Sequence, residues 1–128
     1  MPQLAVAPEL RARTDPSLLA VILGNLCANA VEHAPAGTAV TVQGNQAKDG
    51  VSLLFQNQAG ALTAADLPHL FERFWRKDGA RSDGNHHGLG LSLAAEFAAV
   101  LRGTLTARIT ESDAVEFKLW LPETNQIV

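Results

Sequence analysis

Residues Asp15–Ala34 read Asp-Pro-Ser-Leu-Leu-Ala-Val-Ile-Leu-Gly-Asn-Leu-Cys-Ala-Asn-Ala-Val-Glu-His-Ala, and this stretch predicts a long helix. Asp15 suits the N-cap, and Pro16 suits the first helical position, where no backbone N–H is needed. Pro35 predicts the end of the helix. At about 100° per residue, one face of the helix carries the apolar residues Leu19, Leu23, Leu26 and Ala30.

A second face of the same helix is polar and carries Asn25, Asn29 and Glu32. Asparagine is a poor residue for a helix interior, because its amide competes for backbone hydrogen bonds. One interpretation is a solvated stripe on an amphipathic helix. The other is a wall of a ligand site, in which the amide oxygens are available to a hard cation such as Mg²⁺.

Composition predicts one globular domain over residues 1–128. Hydrophobic residues make up 47% of the 128 positions and charged residues 18%, which is typical of a folded protein and not of disorder. A net charge of −3 does not suggest nucleic acid or an anionic membrane as a partner. No apolar run approaches the roughly 20 residues that span a bilayer. The single cysteine, Cys27, allows no internal disulfide, fits a reducing cytosol and is expected to be buried.

The remaining elements predict a two-layer α/β sandwich, of class α+β, with a mixed, mostly antiparallel sheet and helices on one face. Hairpins dominate the connections between strands. A short helix is expected from Thr63 to Leu70, and a second long helix from Gly88 to about Leu101, ended by Gly103. The predicted strands are an edge strand at 4–7 and further strands at 38–44, 51–55, 104–109 and 114–121.

Three further segments have the composition of a ligand site, although each also has a purely structural explanation. Asn57–Ala61 is a small-residue loop after a strand, which is either a plain turn or a place where a flat ligand approaches the backbone. Phe71–Arg76 combines aromatic with basic residues; with Arg81 nearby, its guanidinium groups are either phosphate ligands or a solvated rim. Gly84–Leu91 is a glycine-containing segment before a helix, which is a potential anion site.

These four segments, in this order, resemble the catalytic ATP-binding domain of bacterial sensor histidine kinases. The wider family also includes gyrase-type topoisomerases, heat-shock chaperones and mismatch-repair ATPases. Asn25–Ala30 resembles the N box, and Asn57–Ala61 occupies the position of the G1 box. Phe71–Arg76 resembles the F box, and Gly84–Leu91 resembles the G2 box. The resemblance covers nearly the whole chain and implies the Bergerat ATP-binding fold.

The resemblance implies roles for the matching positions, with ATP and Mg²⁺ as ligands. Asn29 would hold the Mg²⁺ that bridges the phosphates, Asn25 would support the phosphate end, and Asn57 would face the adenine amino group. Arg76 and Arg81 would steady the γ-phosphate, and residues 77–87 would form a lid over the triphosphate. The implied ATP-binding positions are Asn25, Asn29, Glu32, His33, Asn57, Ala59, Ala61, Gly84, Gly88, Leu89 and Gly90.

The sequence departs from the family pattern at several of these positions. The G1 box usually reads Asp-x-Gly-x-Gly, whereas this chain has Asn57-Gln58-Ala59-Gly60-Ala61. Glu32 stands where a basic residue commonly meets phosphate, and His33 stands where an aromatic ring often stacks on adenine. His86 and His87 replace small residues of the lid; an exposed loop pair explains them better than a metal site.

Another position bears on the reaction. The ATP-hydrolysing members carry a glutamate where this chain has Asn25, and a neutral amide is a poor general base. The resemblance therefore implies a protein-histidine kinase domain that holds ATP for transfer rather than for hydrolysis.

The implied acceptor is a histidine on a separate dimerisation domain of the same parent sensor, with a response regulator downstream. The resemblance implies that this domain lies in the cytoplasm and that the parent sensor is anchored in the inner membrane. No histidine of this chain lies in a phosphoacceptor pattern, so the domain is not expected to autophosphorylate alone. The alternative is a degenerate domain that binds nucleotide weakly or not at all and acts as a regulatory module. A third possibility, an anti-sigma-type serine kinase, is disfavoured by the well-formed F box.

Overall fold

A computed structural model describes residues 2–6, 15–33, 37–47, 49–60, 62–73, 75 and 90–122. Within these ranges no helix is long and apolar enough to cross a lipid bilayer. The elements are β1 (Pro2–Val6), α1 (Pro16–His33), β2 (Val40–Ala47), β3 (Gly50–Gln58), a short 3₁₀ helix (Ala64–His69), α2 (Gly90–Val100), β4 (Thr104–Ile109) and β5 (Ala114–Pro122).

The five strands form one mixed sheet in the order β1-β2-β3-β5-β4. β1 lies at one edge and runs parallel to β2, while all other neighbours are antiparallel. The central ladder joins β3 to β5 over nine residue pairs, from Gly50 opposite Pro122 to Gln58 opposite Ala114. The predicted fold class is therefore confirmed, and so is the edge position of the first strand.

The start of α1 is fixed by local chemistry, as its sequence predicts. The Asp15 carboxylate accepts hydrogen bonds from the backbone N–H groups of Ser17 at 2.8 Å and Leu18 at 3.3 Å. Two of the donors left without intrahelical partners are thereby satisfied. The expectation that Cys27 is buried is wrong, because this thiol lies on the exposed side of α1.

Both helices bury their apolar faces against the same side of the sheet. α1 contributes Ile22, Leu26 and Ala30, and Leu19 and Leu23 are half-buried beside them. The residues that these helices meet alternate along the central strands, as expected for a sheet covered on one face. They include Phe55 of β3 and, on β5, Val115, Phe117, Leu119 and Leu121.

Two predicted strand ends fall three residues short of those in the structure. Residues 45–47, predicted as part of a turn, continue β2. β3 extends three residues beyond the predicted Phe55, so Asn57 lies within a strand rather than in a loop. Both extensions occur where the residues find ladder partners on a neighbouring strand, as Asn57 does opposite Val115.

The end of α2 confirms that Gly103 ends the helix, but for a reason that its sequence does not reveal. The left-handed residue is Arg102, with φ of 63°. The Gly103 N–H donates to the Ala98 carbonyl at 2.8 Å, closing the last turn. A Cβ at Gly103 would overlap the backbone carbonyl oxygen of Trp120. Glycine is required here by the close approach of β5.

Candidate functional site

Asn57 is a buried polar residue whose side-chain oxygen has no hydrogen-bond partner in the described part of the chain. It lies near the carboxyl end of β3, between Val40 of β2 and Val115 of β5, and only 3% of its surface is exposed. Its Nδ2 donates to the Gln58 carbonyl at 2.9 Å. Its Oδ1 is buried and has no hydrogen-bond partner among the described residues. Leaving such an acceptor unsatisfied costs about 1–3 kcal/mol, which is typical of a position completed by a ligand.

Backbone hydrogen bonds hold Ala59 and Leu62 in the fold after β3. The Ala59 N–H donates to the Asp113 carbonyl at 2.8 Å, and the Leu62 N–H donates to the Ala59 carbonyl at 3.0 Å. The left-handed conformation falls on Gly60, with φ of 59°, and not on Ala59. The Ala59 methyl is instead buried in the core cluster. Alanine in place of glycine at position 59 therefore introduces no backbone strain.

The Asn25 side chain of α1 faces the beginning of α2. Asn25 and Asn29 are both half-buried, one helical turn apart. The point where a Cβ of Gly90 would lie is 3.5 Å from Oδ1 of Asn25, which is ordinary van der Waals contact. Gly90 is the first residue of α2, whose leading N–H groups have no partners within the helix. The Asn25 amide oxygen therefore lies beside the N-terminal end of α2, and this combination is suited to phosphate oxygens and their cation.

The aromatic and basic segment serves two different purposes. Phe71 packs edge-on against Phe117, with ring centroids 6.3 Å apart, and Trp75 stacks on His69 at 5.9 Å. Phe71 and Trp75 thereby anchor the segment to the core.

The Arg73 guanidinium forms an exposed ion pair with Glu96 of α2 at 2.8 Å. The hydrogen bond and charge of Glu96 raise the pKa of Arg73. The basic residues were interpreted either as phosphate ligands or as a solvated rim, and Arg73 fits the solvated rim. The pairing with Glu96 has no local signal in the sequence, because 23 residues separate the partners.

Several predicted site positions lie outside the described residues or have only their backbone described. Glu32 and His33 belong to the last turn of α1, where only the backbone is described. The predicted positions outside the described residues are Ala61, Arg76, Arg81, Gly84, His86, His87, Gly88 and Leu89. The structure brings Asn25 beside Gly90 and leaves Asn57 with a buried free acceptor.

The donor set of the described residues suits a ligand-borne cation better than a resident metal. No group of three or more His, Cys, Asp or Glu side chains that could hold a metal ion occurs in the described part of the chain. The amide oxygens of Asn25 and Asn29 are hard donors of the kind that Mg²⁺ accepts, alongside phosphate oxygens.

Comparison with known proteins gives consistent matches over almost the whole chain. Residues 14–125 match the family described as histidine kinase-, DNA gyrase B-, and HSP90-like ATPase. The chain is 34% identical over 114 residues to the signal transduction histidine-protein kinase AfsQ2 of Streptomyces coelicolor, covering 89% of this chain and 21% of that protein. It is 30% identical over 119 residues to the sensor histidine kinase CusS of Escherichia coli O157:H7, covering 92% of this chain and 24% of that protein.

Solved structures also match over nearly the whole chain. The mycobacterial sensor histidine kinase MprB superposes with a TM-score of 0.82 at 25% identity, covering 98% of this chain and 84% of that one. Full-length ShkA in complex with AMPPNP has the same fold, with a TM-score of 0.78 at 21% identity, covering 99% of this chain and 27% of that one. The chain thus spans about a quarter or less of AfsQ2 and CusS.

Proposed function

The chain belongs to the family of histidine kinase-, DNA gyrase B- and HSP90-like ATPases, and from this premise we propose that it is the catalytic ATP-binding domain of a sensor histidine kinase. It would bind Mg-ATP and present the γ-phosphate to a histidine outside this chain. The observation that carries the proposal is the buried Oδ1 of Asn57, which has no hydrogen-bond partner among the described residues. An adenine amino group is the donor that this acceptor lacks.

The base-binding end fits ATP despite its departures from the family pattern. An aspartate would accept the amino group through a charge-assisted bond, whereas the Asn57 amide accepts it without charge. Ala59 fills space in the core without strain, and Gly60 keeps the left-handed residue of the turn. The change from carboxylate to amide is expected to weaken ATP binding by about 1 kcal/mol and to leave the site functional.

The phosphate end is assigned to α1 and to the beginning of α2. Asn25 would support the phosphate end, the N-terminal end of α2 would donate to phosphate oxygens, and Asn29 would provide an amide oxygen to Mg²⁺. When bound, Mg²⁺ neutralises charge on the β- and γ-phosphates and holds them in one geometry. Arg76 and Arg81 would reach the γ-phosphate from the segment between Trp75 and α2.

The site is better suited to transfer than to hydrolysis. The Asn25 amide cannot take a proton from water at neutral pH, so a water molecule near the γ-phosphate is not activated by it. Phosphoryl transfer depends mainly on positioning and charge stabilisation, which this arrangement provides. The acceptor histidine would lie on a dimerisation domain of the same parent protein, which would pass the phosphoryl group to a response regulator in the cytoplasm.

The experiment is calorimetric titration of the purified chain with ATP in the presence and absence of Mg²⁺. The variants are Asn29→Ala and the matched control Asn45→Ala, which removes an exposed amide from the uncovered side of the sheet. We expect saturable, Mg²⁺-dependent binding that Asn29→Ala abolishes or greatly weakens and that Asn45→Ala leaves unchanged. Circular dichroism confirms that each variant is folded.

The opposite result would identify the degenerate regulatory module. If the folded wild-type chain releases no heat with ATP at millimolar concentration, the kinase proposal is wrong. A steady release of phosphate from ATP at a rate similar to that of ATP-hydrolysing relatives would contradict the assignment of Asn25, and Asn25→Glu is the variant in which such hydrolysis is expected to increase.

A further inference from the structure

A cavity of about 460 Å³ lies on the face of the sheet that α1 and α2 leave uncovered, between residues of β2, β3, β4 and β5. Side chains alternate along a strand, so β3 and β5 direct Phe55 and Phe117 toward the helices and the intervening residues to the opposite side. The volume is typical of small-molecule sites. The sheet separates this cavity from the residues assigned to the nucleotide.

Ser52 is a buried polar residue on the wall of this cavity. Only 6% of its surface is exposed, although neither helix covers this side of the sheet. Its hydroxyl has no hydrogen-bond partner among the described residues. A hydroxyl can both donate and accept, and buried hydroxyls are usually paired. A polar ligand in the cavity would therefore satisfy a group that the described part of the fold leaves unpaired.

The charged side chains of the cavity include one cation without a partner. The Arg108 Nε donates to the Glu116 Oε1 at 2.7 Å, and the Glu116 side chain is only 13% exposed. The hydrogen bond to Glu116 and its charge raise the pKa of Arg108. Lys118 lies two residues further along β5 on the same face and has no ion pair among the described residues. Because Glu116 neutralises Arg108, a ligand with one negative charge matches these side chains better than one with two.

The register of the sheet sets the spacing between Lys118 and Ser52. Lys118 is directly opposite Leu54 of β3, and Ser52 is two residues from Leu54 on the same face. Such diagonal neighbours lie about 7–8 Å apart. Thr106 of β4 is opposite Lys118, and Asn45 of β2 is opposite Ser52. A molecule the size of a sugar can therefore reach the ammonium group and the uncharged polar groups together.

We propose that this cavity is a second binding site, independent of the proposed nucleotide site, for a small polyhydroxylated monocarboxylate such as a sugar acid. Lys118 would bind the carboxylate through a charge-assisted hydrogen bond. Ser52, Thr106 and Asn45 would hydrogen-bond to the hydroxyl groups, for which they provide both donors and acceptors. The half-buried Leu54 would contact the carbon chain.

The test is a titration of the ¹⁵N-labelled chain with sodium gluconate at constant ionic strength, followed through the backbone amide signals. We expect saturable shifts at millimolar gluconate, concentrated in β3 and β5. Glucose has similar hydroxyl groups without the charge, and acetate has the charge without the hydroxyl groups. Each should bind at least about tenfold more weakly than gluconate.

Two variants test the assigned contacts. Lys118→Gln should weaken gluconate binding by about tenfold, and Ser52→Ala should weaken it to a smaller extent. The matched control is Arg73→Gln, which removes an exposed cation that pairs with α2, on the other side of the sheet. This control should retain the wild-type affinity for gluconate.

The wild-type titrations alone can overturn the proposal. It is wrong if the folded chain shows no saturable shifts with gluconate, or if glucose or acetate binds as tightly. Equal weakening by Lys118→Gln and Arg73→Gln would also overturn it, because that result indicates a general effect of charge. Failure of the chain to bind ATP, by contrast, would overturn the proposed function and leave this second site unaffected.

Discussion

Replacing Gly90 by alanine should leave stability intact and weaken nucleotide binding. The residue has helical backbone at the start of α2, and the added Cβ would lie 3.5 Å from Asn25 Oδ1, in ordinary contact. Alanine is the better helix former, so we expect the free energy of unfolding to be unchanged or to rise by up to about 1 kcal/mol.

The methyl group that Gly90→Ala adds should weaken ligand binding. It would cover the side of the Asn25 amide oxygen that faces α2, at a distance where neither water nor a ligand atom fits between. Leaving this amide oxygen without a hydrogen-bond or metal partner costs about 1–3 kcal/mol. We therefore expect affinity for Mg-ATP to fall by about tenfold, which corresponds to about 1.4 kcal/mol.

The matched control is Gly24→Ala, the same chemical change in α1. Gly24 is exposed, and nothing lies within 4 Å of its added Cβ. It should stabilise the fold by about 0.5–1 kcal/mol without changing affinity. Urea unfolding and calorimetric titration of both variants provide the two readouts. The reasoning is refuted if Gly90→Ala binds Mg-ATP like the wild type, or if it destabilises the chain by more than the control stabilises it.

Three further substitutions test the fold around the site. Gly103→Ala should lower the free energy of unfolding by about 1–3 kcal/mol, because its Cβ would overlap the Trp120 carbonyl oxygen; an unfolding midpoint equal to that of the wild type would contradict this. Asp15→Ala should cost about 1 kcal/mol by removing the cap of α1, whereas Asp15→Asn should retain most of the stability, as measured by urea unfolding. Reversing one charge of the exposed ion pair, with Arg73→Glu, should slightly lower the melting temperature at low salt, and adding Glu96→Arg should restore it; if the double variant is as unstable as the single one, the pair does not form in solution.

Local chemistry made the beginning of α1 predictable. An aspartate followed by a proline specifies a helix start within a few residues, and the Asp15 carboxylate performs the predicted task. The alternating pattern of residues 104–109 and 114–121 was likewise sufficient to predict a hairpin, because both strands and their turn are neighbours in sequence.

Contacts between residues far apart in the sequence determine the features that the sequence did not predict. Asn57 and Gln58 are weak strand formers, yet they extend β3 because β5 provides ladder partners more than fifty residues further along the chain. The sequence predicted that Gly103 ends α2. It did not reveal why glycine is required there, because the Trp120 carbonyl that approaches it belongs to another strand. Likewise, the motif resemblance pointed to Asn57, while only the structure reveals which end of its amide is free.

The ion pair between Arg73 and Glu96 has a consequence for how this domain can diversify. It joins the residues on either side of the segment 76–89, and Trp75 packs against the core just before that segment. When both ends of a loop are held by the folded body, doubling its length costs only about 0.6 kcal/mol. Insertions and deletions between Trp75 and Gly90 should therefore be nearly neutral for folding. Natural variation can then change the length and composition of residues 76–89 while the sheet and its helices stay under separate constraint.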